Sequence, residues 1–387
     1  MPRAARVLHV FKYFRPQFTG EGTFLERIAP TFHKLRPHVE HDVLCTLTGR
    51  PAGGHEPIEG ISSVSHLRPR GNKSNLTFLE LFWWTLCNIW RYDTVHYHTH
   101  VDRTFASYWL AALLRRRLVL SATLDDSTVG IAGAYRPQFR RTIRSLLRCF
   151  DAFVSISPKL HDETVADIGA ERAHLIPMGI QMPAVTDNRR RQARKDLGIS
   201  EETLVLVSVG GISRRKDQMT LIRSMPQLMA KFPGLLLILV GPVMEPEYAR
   251  SISEFVNENA LQNNVRLAGW IQAPWPYYEA ADLMVFASRE EGFGTVMIEA
   301  MSYAVPVVAR RLKGINDVFI RQGETGFLFE CDAEFETLVA ALLSDGGQRH
   351  RIGRAAREFV LPRYGMDRAA ERYLAVYGFA PTVSNSI

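Results

Sequence analysis

The feature that most constrains the fold of this chain is an alternation of short, almost wholly apolar runs with longer segments of helical character. Such β-branched runs are typical of parallel strands that are covered on both faces. The first half contains six of them, at 6–11, 41–47, 93–98, 118–124, 152–157 and 173–179. The second half contains six more, at 203–211, 235–241, 264–269, 283–288, 305–310 and 326–330. Two sets of six predict an α/β protein with two Rossmann-like domains, whose parallel sheets face each other across a ligand cleft.

The position of the domain boundary follows from a break in this rhythm. A chain of 387 residues is long enough for two domains, each of roughly 180 residues. The segment QMPAVTDNRRRQARKDLG at 181–198 interrupts the apolar runs with a proline and a basic, polar stretch, which is typical of a linker. We therefore expect an N-terminal domain at 1–182 and a C-terminal domain at 183–361.

Charge and composition limit the classes of ligand and partner that we expect this chain to bind. Residues 1–150 hold 21 Lys and Arg against 11 Asp and Glu, a balance of +10, so the total of +7 leaves −3 for 151–387. A basic half favours an anionic partner, but no nucleic-acid-binding motif accompanies it, so nucleic acid is not expected. The apolar runs are shorter than the about 18 residues of a membrane span, and the N-terminus lacks a signal-peptide pattern. The four cysteines are far apart in sequence, which disfavours a zinc site. A cytoplasmic protein is expected.

The stretch SREEGFGTVMIEA at 288–300 joins a predicted strand to a predicted helix. Its glycines allow a ligand to approach the backbone, and the first amides of a helix carry partial positive charge that suits a phosphate. Glu291 and Glu299 flank this loop. Because a carboxylate repels phosphate, we expect both glutamates to accept hydrogen bonds from sugar hydroxyls. The alternative is a glycine-rich turn with two solvated acids.

The spacing of the two glutamates, followed by PVV at 306–308 and GETGFLF at 323–329, resembles the sugar-nucleotide site of the family-four retaining glycosyltransferases. That family has the GT-B fold of two Rossmann-like domains. The resemblance implies that Glu291 contacts the transferred sugar and that Glu299 holds the nucleotide ribose. It also implies that the diphosphate and sugar contact the backbone of Gly292, Phe293, Gly294 and Thr295.

Two cations neutralise the donor diphosphate in this family, an arginine and a lysine five residues beyond it. In SVGGISRRKDQMTLI at 208–222 the lysine position holds Lys216, whereas the arginine position holds Gly211. Arg214 or Arg215 could replace the missing arginine. Both precede a predicted helix and could equally face solvent.

The resemblance is weaker in the first half. In FRPQFTGEGT at 14–23, Gly20 matches the second of a family glycine pair that lines the diphosphate and acceptor side of the cleft, and Thr19 replaces the first. In DTVHYHTH at 93–100, His98 matches a histidine that reaches toward the donor sugar, and we count it with Glu291 and Lys216 as a catalytic candidate. The alternative for His98 is a structural histidine at a strand end. A later family histidine is replaced by Leu124.

The end of the chain, REFVLPRYGMDRAAERYLAVY at 357–377, resembles the family's terminal helix. The resemblance implies that a helix at about 362–387 completes the first domain. It further implies a hexosyl transfer from a UDP- or GDP-sugar to a lipid-linked or polysaccharide acceptor by front-face attack, with no metal or other cofactor. Sugar-nucleotide epimerases and phosphorylases share the fold and are alternatives, as is a non-catalytic nucleotide-sugar or membrane-binding protein.

The segment PQFRRTIRSLLRCF at 137–150 has the periodicity of an amphipathic helix. One face would carry Phe139, Ile143, Leu146, Leu147 and Phe150, and the other Arg140, Arg141, Arg144 and Arg148. Such an arginine face can rest in water or on anionic lipid, where each charge contributes about 1 kcal/mol. Peripheral contact with an anionic membrane, such as the inner face of the plasma membrane, is therefore a hypothesis.

Overall fold

The computed structural model of the chain describes residues 4–15, 17, 19–47, 57–67, 75–98, 100, 105–122, 128–133 and 135–379, without the side chains of 75–78, 122, 128 and 129. Its contacts divide it into two units, Met1–Gly179 with Met366–Ile387, and Ile180–Gly365. Each unit contains one parallel sheet with helices between most successive strands. The prediction of two parallel α/β domains is confirmed. Leu124, which replaces a family histidine, lies outside the described residues.

The first unit is built on a seven-stranded sheet within the described residues, in the order β3-β2-β1-β4-β5-β6-β7. Its strands are β1 (Ala5–Phe11), β2 (Val39–Cys45), β3 (Ser63–His66), β4 (Thr94–Tyr97), β5 (Arg117–Ala122), β6 (Ala152–Ser155) and β7 (Ala173–Leu175). Its helices before the linker are α1 (Gly20–Leu35), α2 (Asn75–Asn88), α3 (Phe105–Leu113), α4 (Thr128–Gly133), α5 (Arg140–Leu147) and α6 (Pro158–Ile168). The edge strand β3 is missing from the sequence prediction, because three of its four residues, SVSH, are polar and none of the four is fully buried.

The alternation of side chains along β1 and β4 supplies two separate cores. Leu8, Val10, Val95 and Tyr97 belong to the apolar cluster that includes residues of α2, α3 and α5. The opposite face of β1 carries Val7, His9 and Phe11, and the cluster on that side includes residues of α1. Both faces of this sheet are therefore covered, which explains why its central strands are almost wholly apolar.

The second unit has a six-stranded sheet within the described residues, in the order β10-β9-β8-β11-β12-β13. Its strands are β8 (Val205–Val209), β9 (Leu236–Val240), β10 (Val265–Gly269), β11 (Leu283–Phe286), β12 (Val307–Arg310) and β13 (Phe327–Phe329). Its helices are α7 (Asp187–Asp196), α8 (Gln218–Arg223), α9 (Met225–Met229), α10 (Pro246–Glu258), α11 (Trp275–Ala280), α12 (Thr295–Ser302), α13 (Asp332–Ser344) and α14 (Gly346–Tyr364). The strand order turns back between β8 and β11. Ligands of open parallel sheets bind outside the carboxyl ends of the strands at such a point.

The last helix, α15 (Met366–Val376), belongs to the first unit. Its residues Ala370, Tyr373 and Leu374 are buried in the same cluster as Phe24 and Phe32 of α1. Beyond its end, the Tyr377 carbonyl accepts a hydrogen bond from Thr94 Oγ1 at 2.9 Å. The first unit is thus completed by residues from the opposite end of the chain. Across the described residues, no helix is both long and apolar enough to cross a bilayer.

Candidate active site

The loop 287–294, at the carboxyl end of β11, is held against the loop that follows β8. The Arg289 amide donates a hydrogen bond to the Arg215 carbonyl at 2.9 Å. The Ser288 hydroxyl donates to the same carbonyl at 3.3 Å and to the Glu290 carbonyl at 3.0 Å. Two sequence-predicted segments, which lie about 75 residues apart, are therefore joined by their backbones.

Lys216 and Glu291 meet at this junction. The Lys216 ammonium donates a hydrogen bond to the Glu291 carboxylate, and it lies 5.3 Å from the centre of the Phe286 ring. Arg215 Nη1 lies 3.6 Å from the same carboxylate and donates to the Glu290 carbonyl at 2.7 Å. The Glu291 side chain is 9% exposed and that of Lys216 15%. Two cations and one carboxylate give this junction a formal charge of +1, which leaves it attractive to an anion.

Arg214 and Arg215, the two candidate replacements for the missing arginine, contact different residues. Arg215 lies with Lys216 and Glu291. The Arg214 guanidinium lies 3.7 Å from Glu245 and over the ring of Tyr248, and its side chain is 69% exposed. At 211, a Cβ would lie 2.6 Å from Cγ of Met244, so a longer side chain there would require Met244 to move. The geometry therefore favours Arg215 over Arg214 as the second cation.

Asp217 fixes the conformation of the loop that carries these cations, and the sequence reasoning missed it. It has a left-handed backbone with φ +50° and is buried. Its Oδ2 accepts hydrogen bonds from Arg289 Nε at 2.9 Å, Thr220 Oγ1 at 3.1 Å and Arg310 Nη2 at 3.3 Å. The carboxylate thus ties the residue after Lys216 to the ends of β11 and β12. The sequence offered one indication of this role, which is that Asp217 directly follows Lys216.

The glycine-rich part of the loop ends in a helix N-terminus. Gly294 is the N-cap of α12, with φ +86° and ψ 47°, a conformation that favours glycine. It offers no side-chain cap to the amides of the first turn. The Phe293 side chain is buried. The centre of its ring lies 5.7 Å from the ring centre of Phe319 and 5.7 Å from that of Tyr364. Phe293 therefore anchors the loop by its side chain, and only its backbone is available to a ligand.

Glu299 lies on α12 and is buried. Its Oε2 accepts a hydrogen bond from the Tyr278 hydroxyl at 2.9 Å, and Tyr278 on α11 is itself fully buried. The tyrosine fixes the orientation of the carboxylate. The sequence analysis gave Tyr278 no role, because its contact with Glu299 joins positions 21 residues apart on two different helices.

In the first unit, Gly20 is the first residue of α1, and a Cβ on it would have no neighbour within 4 Å. Thr19 is the N-cap, whose hydroxyl accepts from the Gly22 amide at 3.1 Å. A Cβ on Gly22 would meet that hydroxyl and, at 3.2 Å, the ring of Phe14. Gly20 therefore leaves the backbone open, whereas Gly22 is required by packing beside the cap.

His98 lies in a buried cluster of imidazoles on the face of the sheet that carries His9. Its Nε2 lies 2.9 Å from Nδ1 of His9, and His9 Nε2 lies 3.0 Å from Nδ1 of His41. The His98 ring also stacks on Phe11, with 4.2 Å between ring centres and 8° between planes. His98 is 4% exposed. A sugar contact through His98 stays a proposal, and the contacts present are structural.

The other two histidines of DTVHYHTH, His96 and His100, are also buried, but their side chains contact different groups. His96 contacts Tyr377 Oη at 2.7 Å and Ser121 Oγ at 2.9 Å. His100 contacts the hydroxyls of Tyr108 and Tyr135, on the side of α3. Ligand nitrogens of His9, His96 and His98 lie within 4.8 Å of one another, a metal-like spacing. Both ring nitrogens of His9 and of His96 already have hydrogen-bond partners, whereas the buried Nε2 of His41 has none among the described residues.

Burial keeps these imidazoles neutral. It lowers the pKa of His96 from 6.5 to about 3 and that of His41 to about 4, and it lowers the pKa values of His9 and His98 well below 6.5. Neighbouring imidazoles lower the pKa values of His9 and His98 further. Tyr373 of α15 and Tyr377, directly beyond the end of that helix, face the cluster, and burial raises their pKa values, so both stay uncharged at neutral pH.

This cluster predicts a steep loss of stability in acid. The unfolded chain binds more protons than the folded one wherever the pH lies below 6.5 and above the depressed folded pKa values. Stability should therefore be constant above about pH 6.5 and fall below it, by up to about 1.4 kcal/mol per pH unit for each buried histidine. Thermal unfolding followed from pH 7.5 to pH 4.5 measures this. His41→Phe should flatten the profile, whereas His38→Gln, at an exposed position, should leave it unchanged. A flat wild-type profile would contradict the assignment.

The helix α5 has the predicted amphipathic form. Ile143, Leu147 and Phe150 are buried, while Arg140, Arg141, Arg144 and Arg148 are exposed. Arg144 Nη1 lies 3.4 Å from Asp167, so this arginine is partly neutralised. Phe139, which was predicted on the buried face, is 50% exposed, because it ends the short 3-10 turn Pro137–Phe139 rather than lying within α5.

Comparisons with known proteins match both units. A sequence profile described as "Glycosyl transferase 4-like domain" matches residues 4–179, and one described as "Glycosyl transferases group 1" matches 189–359. The N-acetyl-alpha-D-glucosaminyl L-malate synthase of Bacillus anthracis is 25% identical over 290 residues, which is 74% of each chain. The D-inositol 3-phosphate glycosyltransferase 1 of Catenulispora acidiphila is 28% identical over 315 residues, or 74% of this chain and 72% of that protein. The crystal structure of Anabaena HepE in complex with UDP and glucose superimposes with a TM-score of 0.75 at 19% identity, covering 96% of this chain and 99% of HepE.

Proposed function

This chain belongs to the glycosyl transferases group 1 family and has its GT-B fold, and we propose that it is a retaining hexosyltransferase that uses a nucleotide-diphosphate sugar. As a glycosyltransferase it is an enzyme of the EC 2.4 class. The acceptor we propose is the hydroxyl of a lipid-linked or polysaccharide substrate. The observation that carries the proposal is the junction of Lys216, Arg215 and Glu291 beside the N-terminus of α12.

The donor diphosphate is assigned to the cations of this junction. Lys216 and Arg215 are two positive charges on one partly buried carboxylate, so a diphosphate that arrives there meets a net attraction. The helix-terminal amides after Gly294 add partial positive charge at the same edge of the sheet. The structure of HepE with UDP and glucose supports a nucleotide-sugar donor for this fold.

The two glutamates bind the neutral parts of the donor. Because Glu291 accepts a hydrogen bond from Lys216, a diphosphate bound by Lys216 would have the Glu291 carboxylate beside it, and we assign this carboxylate to the hydroxyls of the transferred sugar. Glu299, oriented by Tyr278, accepts hydrogen bonds from the ribose hydroxyls. Both carboxylates are largely buried, where a hydrogen bond to a charged group contributes about 1.5–3 kcal/mol.

The reaction we propose breaks the bond between the anomeric carbon and the diphosphate and forms one to the acceptor oxygen. Negative charge develops on the departing diphosphate, and Lys216 and Arg215 stabilise it, as in other sites that act by fixed electrostatics. The acceptor hydroxyl attacks from the face that the diphosphate leaves, and a phosphate oxygen of the donor takes its proton. The residues of this chain hold the donor, position it and stabilise charge, and none of them forms a covalent intermediate.

A thermal-shift panel of UDP, GDP and ADP and their hexose derivatives tests the donor class. A ligand that binds only the folded state at 100 times its dissociation constant adds about 2.7 kcal/mol of stability. We expect UDP- or GDP-sugars to raise the unfolding temperature of the wild type and to raise that of Glu299→Ala less. Release of nucleoside diphosphate in the presence of a lipid-linked or saccharide acceptor then measures transfer. No shift with any nucleotide would overturn the proposal.

Tyr278→Phe should weaken donor binding through Glu299. The change removes one hydrogen bond and little volume, which corresponds to about 1 kcal/mol, or five- to tenfold in KM for the donor, with kcat nearly unchanged. The neighbouring Tyr277→Phe is the matched control and should behave like the wild type. If Tyr278→Phe also matched the wild type while Glu299→Ala lost donor affinity, Tyr278 would have no role in orienting the carboxylate.

A further inference from the structure

Large apolar side chains are exposed together on one side of the first unit. Trp83 is 59% exposed, Trp90 60%, Trp109 51% and Leu113 79%, and Leu86 and Leu114 are also exposed. They belong to α2, to the 3-10 turn Ile89–Arg91 that continues it, and to α3 and the residue after it. Single exposed apolar residues are ordinary on protein surfaces, but a group of this size on two neighbouring helices marks an interaction surface.

The spacing of these residues places them on the solvent-facing sides of two helices. Trp83, Leu86 and Trp90 recur every three or four residues, so they share one side of α2 and its continuation. Leu81 and Ile89, on the other side, are buried in the core beneath. On α3, Trp109 and Leu113 are four residues apart and exposed, whereas Tyr108 and Ala111 are buried in the same core. Because α2 packs against α3, the two outward faces are neighbours.

Positive charge borders this apolar surface. Arg115 is exposed two residues after Leu113, and Arg116 follows it. The helix α5 contributes residues to the same core as α2 and α3, so it belongs to the same layer over the sheet, and its arginines also face outward. Residues 1–150 carry a net charge of +10. An apolar, tryptophan-rich surface with cations around it has the chemistry of an interfacial membrane site.

We propose that the outward face of α2 and α3, here called the tryptophan face (Trp83, Leu86, Trp90, Trp109 and Leu113), binds the surface of an anionic lipid bilayer. The indole rings and Leu113 enter the boundary between headgroups and acyl chains, where amphipathic aromatic rings are favoured. Arg115 and the arginines of α5 contact lipid phosphates. The sequence hypothesis placed membrane contact on arginines, those of α5 with Arg115, Arg116 and Arg117 nearby in sequence. The structure adds the apolar anchor, and this inference does not depend on the donor chemistry.

Vesicle sedimentation tests whether the apolar side chains of the tryptophan face contribute to membrane binding. The full-length protein is mixed with vesicles of phosphatidylcholine alone, or with phosphatidylglycerol added, and the bound fraction is measured. We expect binding to the anionic vesicles with a blue shift of tryptophan emission. Trp109→Ala and Leu113→Glu should each weaken this binding roughly tenfold or more, because each removes a buried apolar contact with the acyl region. The matched control is Trp270→Ala, since Trp270 is 56% exposed on the second unit and its loss should leave vesicle binding unchanged.

The charged part is tested separately. Arg115→Gln and Arg141→Gln should each weaken binding to anionic vesicles about fivefold, with little effect on phosphatidylcholine vesicles. Raising the salt concentration should reproduce this loss, while the tryptophan variants should keep the salt dependence of the wild type.

Three outcomes would overturn the proposal. They are failure of the wild type to bind anionic vesicles at low salt, equal loss with Trp270→Ala and Trp109→Ala, and a stable dimer in analytical ultracentrifugation that Leu113→Glu dissociates. In the last case the tryptophan face would be an interface between copies of this chain.

Discussion

Lys216→Ala should slow glycosyl transfer by about 10²- to 10³-fold, mostly in kcat, because fixed cations at a departing anion contribute effects of this size. In the structure the Lys216 ammonium is held by Glu291 and by the Phe286 ring, so it is already positioned before a donor arrives. Its loss also leaves the partly buried Glu291 carboxylate, among the described residues, with Arg215 as its remaining cationic neighbour, which disfavours an incoming diphosphate. Steady-state release of nucleoside diphosphate with acceptor present measures the effect.

Three partner variants sharpen this prediction. Glu291→Ala should reduce transfer comparably while leaving the thermal shift by free UDP or GDP largely intact, because Glu291 is assigned to the sugar. Arg215→Ala should cost about tenfold, since Arg215 lies 3.6 Å from Glu291 and is more exposed. Arg214→Ala is the matched control, because that guanidinium is directed to Glu245 and Tyr248. Near wild-type turnover by Lys216→Ala and Glu291→Ala, with circular dichroism unchanged, would refute the site assignment.

Asp217→Ala should lower both stability and activity. It leaves Arg289 and Arg310 without their shared carboxylate and removes the Thr220 contact, and breaking a buried ion pair in this way typically costs about 3–5 kcal/mol. Because the Arg289 side chain is 69% exposed, a value near 3 kcal/mol is more appropriate. Urea unfolding measures this loss. Transfer should also fall at temperatures where the variant is folded, since the loop with Arg215 and Lys216 is no longer fixed.

The side chain and the backbone of Asp217 can be tested separately. Asparagine tolerates the left-handed conformation with φ +50°, so Asp217→Asn keeps the backbone and removes the charge. Asp217→Gly keeps the backbone and removes the whole side chain. If the ion pairs fix the loop, both variants should lose activity. If Asp217→Gly also retained full activity and stability, the backbone conformation alone would account for the role of this residue; retention by Asp217→Asn alone would show that the hydrogen bonds suffice without the charge.

Sequence alone predicted the sheets well, because central parallel strands leave an unmistakable apolar signature. The runs at 205–209 and 236–240 are buried at every position, as the pattern required. The edge strand β3 escaped detection for the opposite reason, since a strand with one free edge can be polar. The amphipathic α5 was predicted on the same physical basis, and only Phe139, outside its regular turns, departed from the pattern.

The candidate site was predictable only in part. The residue types and the resemblance identified Lys216 and Glu291, but their contact joins positions 75 residues apart, which no local periodicity encodes. The choice between Arg214 and Arg215 depends on the path of the backbone before the left-handed Asp217, which brings one guanidinium to Glu291 and the other to Glu245. The divergence of His96 and His100 also follows from the backbone, because the regular alternation of β4 ends at Tyr97.

The return of α15 to the first unit has a consequence for synthesis on the ribosome. Residues 180–365 form a continuous unit, so they can fold as soon as they emerge, whereas the first unit lacks Tyr373 and Tyr377 until the whole of the second unit has been translated. During that interval the imidazoles of His9 and His96 and the ring of Phe32 have no cover on that side. The N-terminal half of the nascent chain is therefore incompletely packed during this interval. A truncation before Tyr373 would therefore remove part of the core around His9 and Phe32, more than 300 residues away in sequence.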